Sequence, residues 1–247
     1  MIEFKNVSKA YGKEFSALND VSFTIEKGSF VFLVGPTGSG KTTIFRLIIR
    51  DILPTDGQVV LGDWDIAKMP KGKVPHLRRK VGTVFQDLKL LMDRTVLENV
   101  ILPLQFSGAL EKQITEKASE ILMQVGLDDK KDKFPLQLSG GERQRIAVAR
   151  ALIFDPEVIL ADEPTGNLDL QTSYQILDLL ENINKRGTTV FMATHNNALI
   201  GKANHRVISL SQGKITDDKN KRPKSYNKEK EDSHSPDQEG EKIKDAV

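Results

Sequence analysis

The chain has 247 residues, and its 36 Lys and Arg side chains nearly balance its 34 Asp and Glu side chains, leaving a formal net charge of +2. So small a charge gives no field that would by itself attract nucleic acid, and we expect no nucleic-acid partner. The absence of cysteine excludes disulfides and thiolate metal sites. No apolar run reaches about 18 residues, and segment 1–6 has mixed polarity, so we expect neither a membrane span nor a signal peptide.

The N-terminal segment shows the alternation of apolar and polar residues that is typical of half-buried strands. The pattern begins with Ile2, Phe4 and Val7 and continues over 18–25. Alternation with a period of two places the apolar side chains on one face of a sheet. This segment therefore predicts a lobe of short antiparallel strands.

Three continuous apolar runs predict strands that are covered on both faces of a parallel sheet. They are residues 30–34, 158–161 and 189–193. Segments 116–125 and 146–154 repeat apolar residues every three or four positions, which predicts amphipathic helices. Because strands and helices alternate, we predict an α/β fold with a parallel sheet and crossover helices, preceded by the antiparallel lobe.

A glycine-rich octapeptide directly follows the first apolar run. Its sequence is Gly35-Pro36-Thr37-Gly38-Ser39-Gly40-Lys41-Thr42. In a strand–loop–helix setting this pattern is a P-loop, because the glycines let successive N–H groups point at phosphate oxygens and the next helix adds its positive dipole end. We predict that this loop and Thr43 bind ATP, with Lys41 at the β- and γ-phosphates and the Thr42 hydroxyl on Mg²⁺. The alternative is an ordinary glycine-rich turn.

Two adjacent acids, Asp162 and Glu163, end the second apolar run. Open α/β sheets place ligand groups at the carboxyl ends of their strands. Since successive side chains of a strand point in opposite directions, we expect Asp162 to face Mg²⁺ and Glu163 to act as general base toward the attacking water. The alternative is a strand-end pair that begins a solvated turn.

The stretch Leu138-Ser139-Gly140-Gly141-Glu142 separates this chain from other proteins with a P-loop. It resembles the LSGGQ or LSGGE signature of the ABC-type ATPases, and the likeness extends from residue 1 to about 215. Ser139 and the glycines would open a helix and form a second anion-binding N-terminus. The resemblance implies a helical signature subdomain at about 87–157. It also implies a head-to-tail homodimer in which Ser139, Gly140, Gly141 and Glu142 of one subunit close over ATP held by the other.

Four further positions match the family one at a time. The resemblance implies that Tyr11 stacks on adenine, that Gln86 contacts Mg²⁺ and the attacking water, and that His195 contacts the γ-phosphate. The plainer alternatives are a half-buried strand tyrosine and a solvated loop glutamine. Asp169 matches the loop that crosses between subunits, where residues 166–167 are Gly-Asn in place of the more common Ser-Ala.

The chain has one P-loop and no apolar span, so the resemblance implies a separate integral membrane subunit and a peripheral position on the cytoplasmic face of the cell membrane. Segment 162–169 resembles the subfamily that includes the lipoprotein-release, macrolide-export and cell-division ATPases. Within that subfamily, segment 85–100 is most similar to the FtsE-like cell-division branch, which implies a partner resembling FtsX and regulation of peptidoglycan hydrolases. The alternative is the ATPase of a lipoprotein-release, macrolide-export or other solute transporter. We interpret Leu90, Leu91 and Met92 as an apolar socket for a partner helix; the alternative is internal packing.

The composition changes near residue 216. Residues 217–247 contain one aromatic residue, few apolar residues and closely mixed charges. Such a segment cannot bury enough surface to offset its ordering entropy. We therefore predict a nucleotide-binding domain over 1–216 and a disordered tail over 217–247.

Overall fold

The computed structural model describes residues 1–12, 15–105 and 111–219. Within these residues ten strands form two sheets. In chain order the strands are β1 (Ile2–Tyr11), β2 (Phe15–Ile25), β3 (Phe30–Val34), β4 (Asp56–Leu61), β5 (Trp64–Asp65), β6 (Val81–Val84), β7 (Val158–Asp162), β8 (Thr189–Thr194), β9 (Arg206–Ser211) and β10 (Lys214–Lys219).

Seven α-helices lie in the same described ranges. They are α1 (Lys41–Ile48), α2 (Val74–Lys80), α3 (Val96–Gln105), α4 (Glu111–Val125), α5 (Gly140–Leu152), α6 (Leu170–Lys185) and α7 (Asn197–Lys202). Short 3-10 turns cover Lys71–Lys73, Asp128–Lys130 and Pro135–Gln137. No helix in the described part of the chain is long and apolar enough to span a bilayer.

The smaller sheet is the predicted antiparallel lobe, with strand order β2-β1-β4-β5. Ile2 lies opposite Ile25 on one neighbouring strand and opposite Leu61 on the other. The two first strands are longer than predicted, because they continue through register shifts that interrupt the alternation. Asn6 and Asp20 have positive φ angles of 47° and 54° in this part of the lobe.

The larger sheet has the strand order β10-β9-β3-β8-β7-β6. All its pairings are parallel except that of β10 with β9, which form a hairpin. The three apolar runs are β3, β7 and β8 at its centre, which confirms the predicted parallel sheet with crossover helices. Their carboxyl ends lie side by side, so the loops that follow them meet at one edge.

Two apolar cores cover the two faces of this sheet. Phe30 and Phe32 of β3 pack into the core formed with α3, α4, α5 and α6. Val31 and Leu33 point the other way, into the core shared with α1 and the antiparallel lobe. Alternate residues of one buried strand thus join the two layers, which explains why β3 is apolar without a break.

The predicted domain boundary at residue 216 falls inside β10, which continues to Lys219. The reason is a paired guanidinium: Arg206 donates from Nε and Nη2 to the two oxygens of Asp218 at 2.7 and 2.6 Å. Its Nη1 donates to the Thr24 carbonyl of β2. Residues 217–219 are therefore strand, in contrast to the predicted tail. The remainder of that predicted segment, 220–247, lies outside the described residues.

Candidate nucleotide site

The predicted phosphate loop connects β3 to α1 and curls through left-handed backbone. Gly38 has φ 79°, and Gly40 has φ 110° at the position that caps α1. A residue with Cβ adopts such angles only at a cost, so glycine is required where the chain turns into the helix. The first N–H groups of α1 have no carbonyl partner within the helix and are available to an anion.

A cavity of about 280 Å³ opens beside this loop. Its described lining consists of Ala17, Thr37, Gly38, Ser39, Gly40, Lys41, Thr42, Thr43, Gln86, Asp162, Glu163 and His195. The structure thus brings together predicted residues that are up to 158 positions apart, from Thr37 to His195. Gly35 and Pro36 lie at the base of the loop, where their carbonyl oxygens accept hydrogen bonds from Lys41 Nζ at 2.7 and 3.2 Å.

Glu163 occupies the centre of the charged groups. One carboxylate oxygen, Oε1, lies 3.6 Å from Lys41 Nζ, and the other, Oε2, lies 3.0 Å from His195 Nδ1. The His195 N–H also donates to Oε2 at 3.4 Å. Lys41 and Glu163 are each 8% exposed. These three side chains form a continuous polar row from the phosphate loop to the end of β8.

The orientation of Glu163 does not arise from strand alternation, so that prediction is wrong. Strand β7 ends at Asp162, and Glu163 follows with φ 47° in the left-handed region. Its N–H donates to the Ala193 carbonyl of β8 at 3.0 Å, which holds the turn. Non-glycine residues at positive φ cost of the order of 1–3 kcal/mol and concentrate at functional sites.

Asp162 faces the first turn of α1. Its Oδ2 accepts a hydrogen bond from Thr42 Oγ1 at 2.8 Å. Burial raises the pKa of Asp162, although the Thr42 hydrogen bond opposes the shift. The Thr42 hydroxyl, the Asp162 carboxylate and the Gln86 amide on the same cavity are hard oxygen donors, the kind that Mg²⁺ prefers. The residues present therefore fit the predicted Mg²⁺ site.

Tyr11 and the signature residues lie away from this cavity. The Tyr11 ring, at the end of β1, is 38% exposed and lies 5.3 Å from Lys9 Nζ. Residues 139–142 form the N-terminus of α5, and none of them lines the cavity. Within one subunit the structure does not bring these five residues to the phosphate loop, so their roles stay predictions.

The signature residues form a capping box at the start of α5. Ser139 Oγ accepts from the Glu142 N–H at 3.3 Å, and Glu142 Oε2 accepts from the Ser139 N–H at 2.8 Å. The helix consequently begins at Gly140, before the predicted amphipathic segment 146–154. Glu142 Oε1 also accepts a hydrogen bond from Lys130 Nζ.

The Lys130 hydrogen bond, with that of the Ser139 N–H, lowers the pKa of Glu142 from 4.5 to about 2. A carboxylate with a depressed folded-state pKa stabilises the fold above its unfolded-state pKa and loses this effect as the pH falls through the folded value. We expect Glu142→Gln to lower Tm at pH 7 by about 2–4 °C. Thermal unfolding followed by circular dichroism should show the Tm difference between variant and parent becoming smaller as the pH falls from about 4.5 toward 2. A Tm difference that does not change with pH would show that the variant loses stability through the capping hydrogen bond and not through the charge of Glu142.

Ala17 of β2 also lines the cavity, and sequence reasoning missed it. Alanine carries no chemical signal, and only the packing of the antiparallel lobe against the phosphate loop brings it there.

Asp169, which matches the family's loop between subunits, lies outside the cavity lining. It caps α6 by accepting a hydrogen bond from the Thr172 N–H at 2.9 Å.

Comparison with known proteins agrees with this arrangement. The family model described as "ABC transporter" matches residues 18–166, which is more than half of the chain. The chain belongs to the ABC transporter family. This match, with the relatives below, confirms the predicted ABC-type ATPase and its α/β P-loop fold.

The cell division ATP-binding protein FtsE of Bacillus subtilis (strain 168) is 46% identical over 221 residues, covering 90% of this chain and 97% of that protein. FtsE of Escherichia coli (strain K12) is 46% identical over 215 residues, covering 87% and 97%. The ATP-binding cassette MJ0796, solved as a dimer in a post-hydrolysis state bound to ADP and Pi, has a TM-score of 0.81 and 36% identity over 90% of this chain and all of that one. The predicted similarity to FtsE is confirmed.

Proposed function

We propose that this chain is the ATP-hydrolysing subunit of an FtsE-like complex. In this complex ATP turnover changes the conformation of a membrane protein resembling FtsX and thereby regulates peptidoglycan hydrolysis in cell division. The observation that carries the proposal is 46% identity to FtsE over 90% of the chain. The complex would hold the chain on the cytoplasmic face of the cell membrane through its partner.

The geometry supports a distinct role for each of the site residues in hydrolysis. Lys41 and the amides of the loop would bind the β- and γ-phosphates, and His195 would contact the γ-phosphate. Mg²⁺, held by Thr42, Gln86 and Asp162, would neutralise phosphate charge when bound. Glu163 would accept a proton from the water that attacks the γ-phosphorus, while the bond to the β-phosphate oxygen breaks and releases ADP and phosphate.

A head-to-tail homodimer completes this site. Residues 139–142 do not line the cavity of their own chain. They form the N-terminus of α5, which is suited to bind an anion. In a two-fold dimer they would close over the ATP of the other subunit, while Tyr11 would stack on adenine. Similar cassettes have been solved as dimers, which supports this arrangement.

Two of the three residues of the predicted apolar socket are exposed, as a partner surface would require. Leu90 is only 8% exposed and packs into the helical core, so its assignment to the partner surface was wrong. Leu91 and Met92 are 39% and 46% exposed. The buried Asn99 fixes the loop by accepting from the Leu91 N–H at 2.8 Å and donating to the Leu91 carbonyl at 2.9 Å. This anchor turns two neighbouring apolar side chains toward solvent, where a partner could cover them.

A basic groove of about 530 Å³ extends from Phe85 and Lys89 of the same segment. Among the described lining residues the charged ones are Arg46, Asp51, Arg78, Arg79, Lys89 and Arg150. Arg46 is paired with Asp51, whereas Arg150 donates to the Leu88 and Lys89 carbonyls. An acidic segment of the membrane partner would complement this excess of positive charge.

Replacing Leu91 and Met92 together with Asp tests the partner surface. Two unpaired carboxylates in an apolar contact should prevent binding, so the FtsX-like protein should no longer copurify with the tagged chain from detergent-solubilised membranes. Met123→Asp, at an equally apolar position that is 59% exposed on α4, is the matched control and should copurify normally.

Both purified variants should retain ATP binding, because these residues lie outside the nucleotide cavity. Cells carrying the double variant should show a division or envelope defect. Normal copurification would reject the surface formed by Leu91 and Met92. A pure uptake or efflux defect would reject the cell-division role and favour the solute-transporter alternative.

A further inference from the structure

The turn between β9 and β10 lies directly against the phosphate loop. Its two residues, Gln212 and Gly213, have φ angles of 48° and 73°, as a tight two-residue hairpin requires. The Gly213 N–H donates to the Ser39 carbonyl of the loop at 3.0 Å. The Gly213 carbonyl accepts from the Asn19 N–H of β2 at 2.9 Å. One residue thus joins the phosphate loop to the antiparallel lobe.

The packing around Gly213 leaves no room for a side chain. A Cβ there would lie 2.7 Å from the Ala17 carbonyl oxygen and 3.1 Å from Leu18 Cα. These are backbone atoms, which cannot rotate away as a side chain could. A Cβ on Gly40 of the phosphate loop would lie 2.7 Å from the same Ala17 oxygen. The turn, the strand and the loop therefore share one contact point, and Ala17 itself lines the nucleotide cavity.

The base of the phosphate loop touches the same hairpin. A Cβ on Gly35 would lie only 2.1 Å from the Leu210 carbonyl oxygen of β9. Ser39, whose carbonyl accepts the Gly213 hydrogen bond, is buried, with 3% of its surface exposed. Any shift of the hairpin turn must move either the phosphate loop or Ala17, because the contact between these backbones is close-packed.

We propose that Gly213 is a positioning residue for nucleotide binding: the β9–β10 turn sets the shape of the phosphate loop and hence the affinity for ATP, without touching the nucleotide. This inference rests on the proposed binding of ATP by residues 35–43. It adds a role for a hairpin that contributes no residue to the cavity lining.

Gly213→Ala tests the proposal against Gly62→Ala. Gly62 also has a positive φ, 59°, in the two-residue turn between β4 and β5, but a Cβ there would meet nothing within 4 Å. Both substitutions introduce left-handed strain, and only Gly213→Ala adds a clash beside the phosphate loop. We expect Gly213→Ala to raise the KM for ATP roughly tenfold or more, since small displacements of binding groups have effects of this size. The kcat should stay within about twofold, and Gly62→Ala should change neither.

Gly213→Asn separates clash from backbone strain, because Asn tolerates left-handed backbone but carries a Cβ. It should also weaken binding of a fluorescent ATP analogue, at a temperature where circular dichroism shows the variant folded. A KM within twofold of the parent in Gly213→Ala, or parental affinity in Gly213→Asn, would overturn the proposal. If the parent itself fails to bind ATP, the proposed function fails instead.

Hydrogen exchange in the unmodified chain gives a test that needs no substitution. If the loop and turn are coupled, saturating ATP should slow exchange of the Gly213 and Asn19 amides by roughly tenfold. The Gly62 amide, which donates to the Met1 carbonyl at 2.9 Å, is the matched hairpin control and should be unaffected. Equal behaviour of all three amides would count against coupling.

Discussion

Glu163→Gln is expected to leave ATP binding intact and to reduce hydrolysis by roughly 10²-fold or more, the usual scale of a general base. The amide keeps an oxygen that can accept from the His195 N–H but cannot take a proton from water. The lost negative charge lies 3.6 Å from Lys41 Nζ. Its removal leaves more positive potential for the γ-phosphate, so affinity should not fall. Steady-state phosphate release and binding of a fluorescent ATP analogue measure the two effects separately.

The variant should accumulate as an ATP-bound dimer, which size-exclusion chromatography with ATP and Mg²⁺ would resolve. Glu157→Gln is the matched control: Glu157 precedes β7, and its partly exposed carboxylate pairs with Lys80. Its loss should leave turnover unchanged. If Glu163→Gln hydrolyses ATP at the parental rate, another residue must act as the general base. A simultaneous loss of ATP binding would instead indicate that Glu163 organises the loop.

The central strands could be predicted because burial on both faces leaves an unmistakable local pattern. Strands β3, β7 and β8 each contain a continuous apolar run. Helix starts were harder to predict from the sequence, because they depend on capping residues and on polar first turns. Helix α4 begins at Glu111, earlier than the predicted residue 116, and α5 begins at Gly140 through its capping box.

The residues of the phosphate loop and the carboxylate pair could be predicted as chemistry, but their geometry could not. The left-handed backbone of Glu163 depends on a hydrogen bond to β8, which is thirty residues further along the chain. The burial of Leu90 beside exposed Leu91 depends on Asn99. Ala17 and Gly213 approach the loop only through tertiary packing. Most of these contacts join distant segments, and even the bonds between Leu91 and Asn99 connect residues eight positions apart. The local patterns of apolar and polar residues do not predict any of them.

Lys41→Ala is expected to weaken ATP binding by about 10²-fold or more. Hydrogen bonds to charged groups contribute about 1.5–3 kcal/mol each, and the side chain would make such bonds to both the β- and γ-phosphates. Each 1.4 kcal/mol corresponds to a tenfold change in Kd. Lys41 Nζ also donates to the Gly35 and Pro36 carbonyls, so the loop loses internal bonds as well. Titration with a fluorescent ATP analogue in the presence of Mg²⁺ gives the change in Kd.

Two comparisons identify the cause of that loss. Lys68→Ala removes the same charge at a side chain that is 82% exposed; it should bind ATP normally, which excludes a general electrostatic effect. The ratio of ATP to AMP affinity separates phosphate recognition from collapse of the loop. Loss of the phosphate cation should weaken ATP far more than AMP, because AMP lacks the β- and γ-phosphates. Equal ATP affinity in Lys41→Ala and the parent would contradict the proposed role of the loop, since no other described lysine or arginine lines the nucleotide cavity.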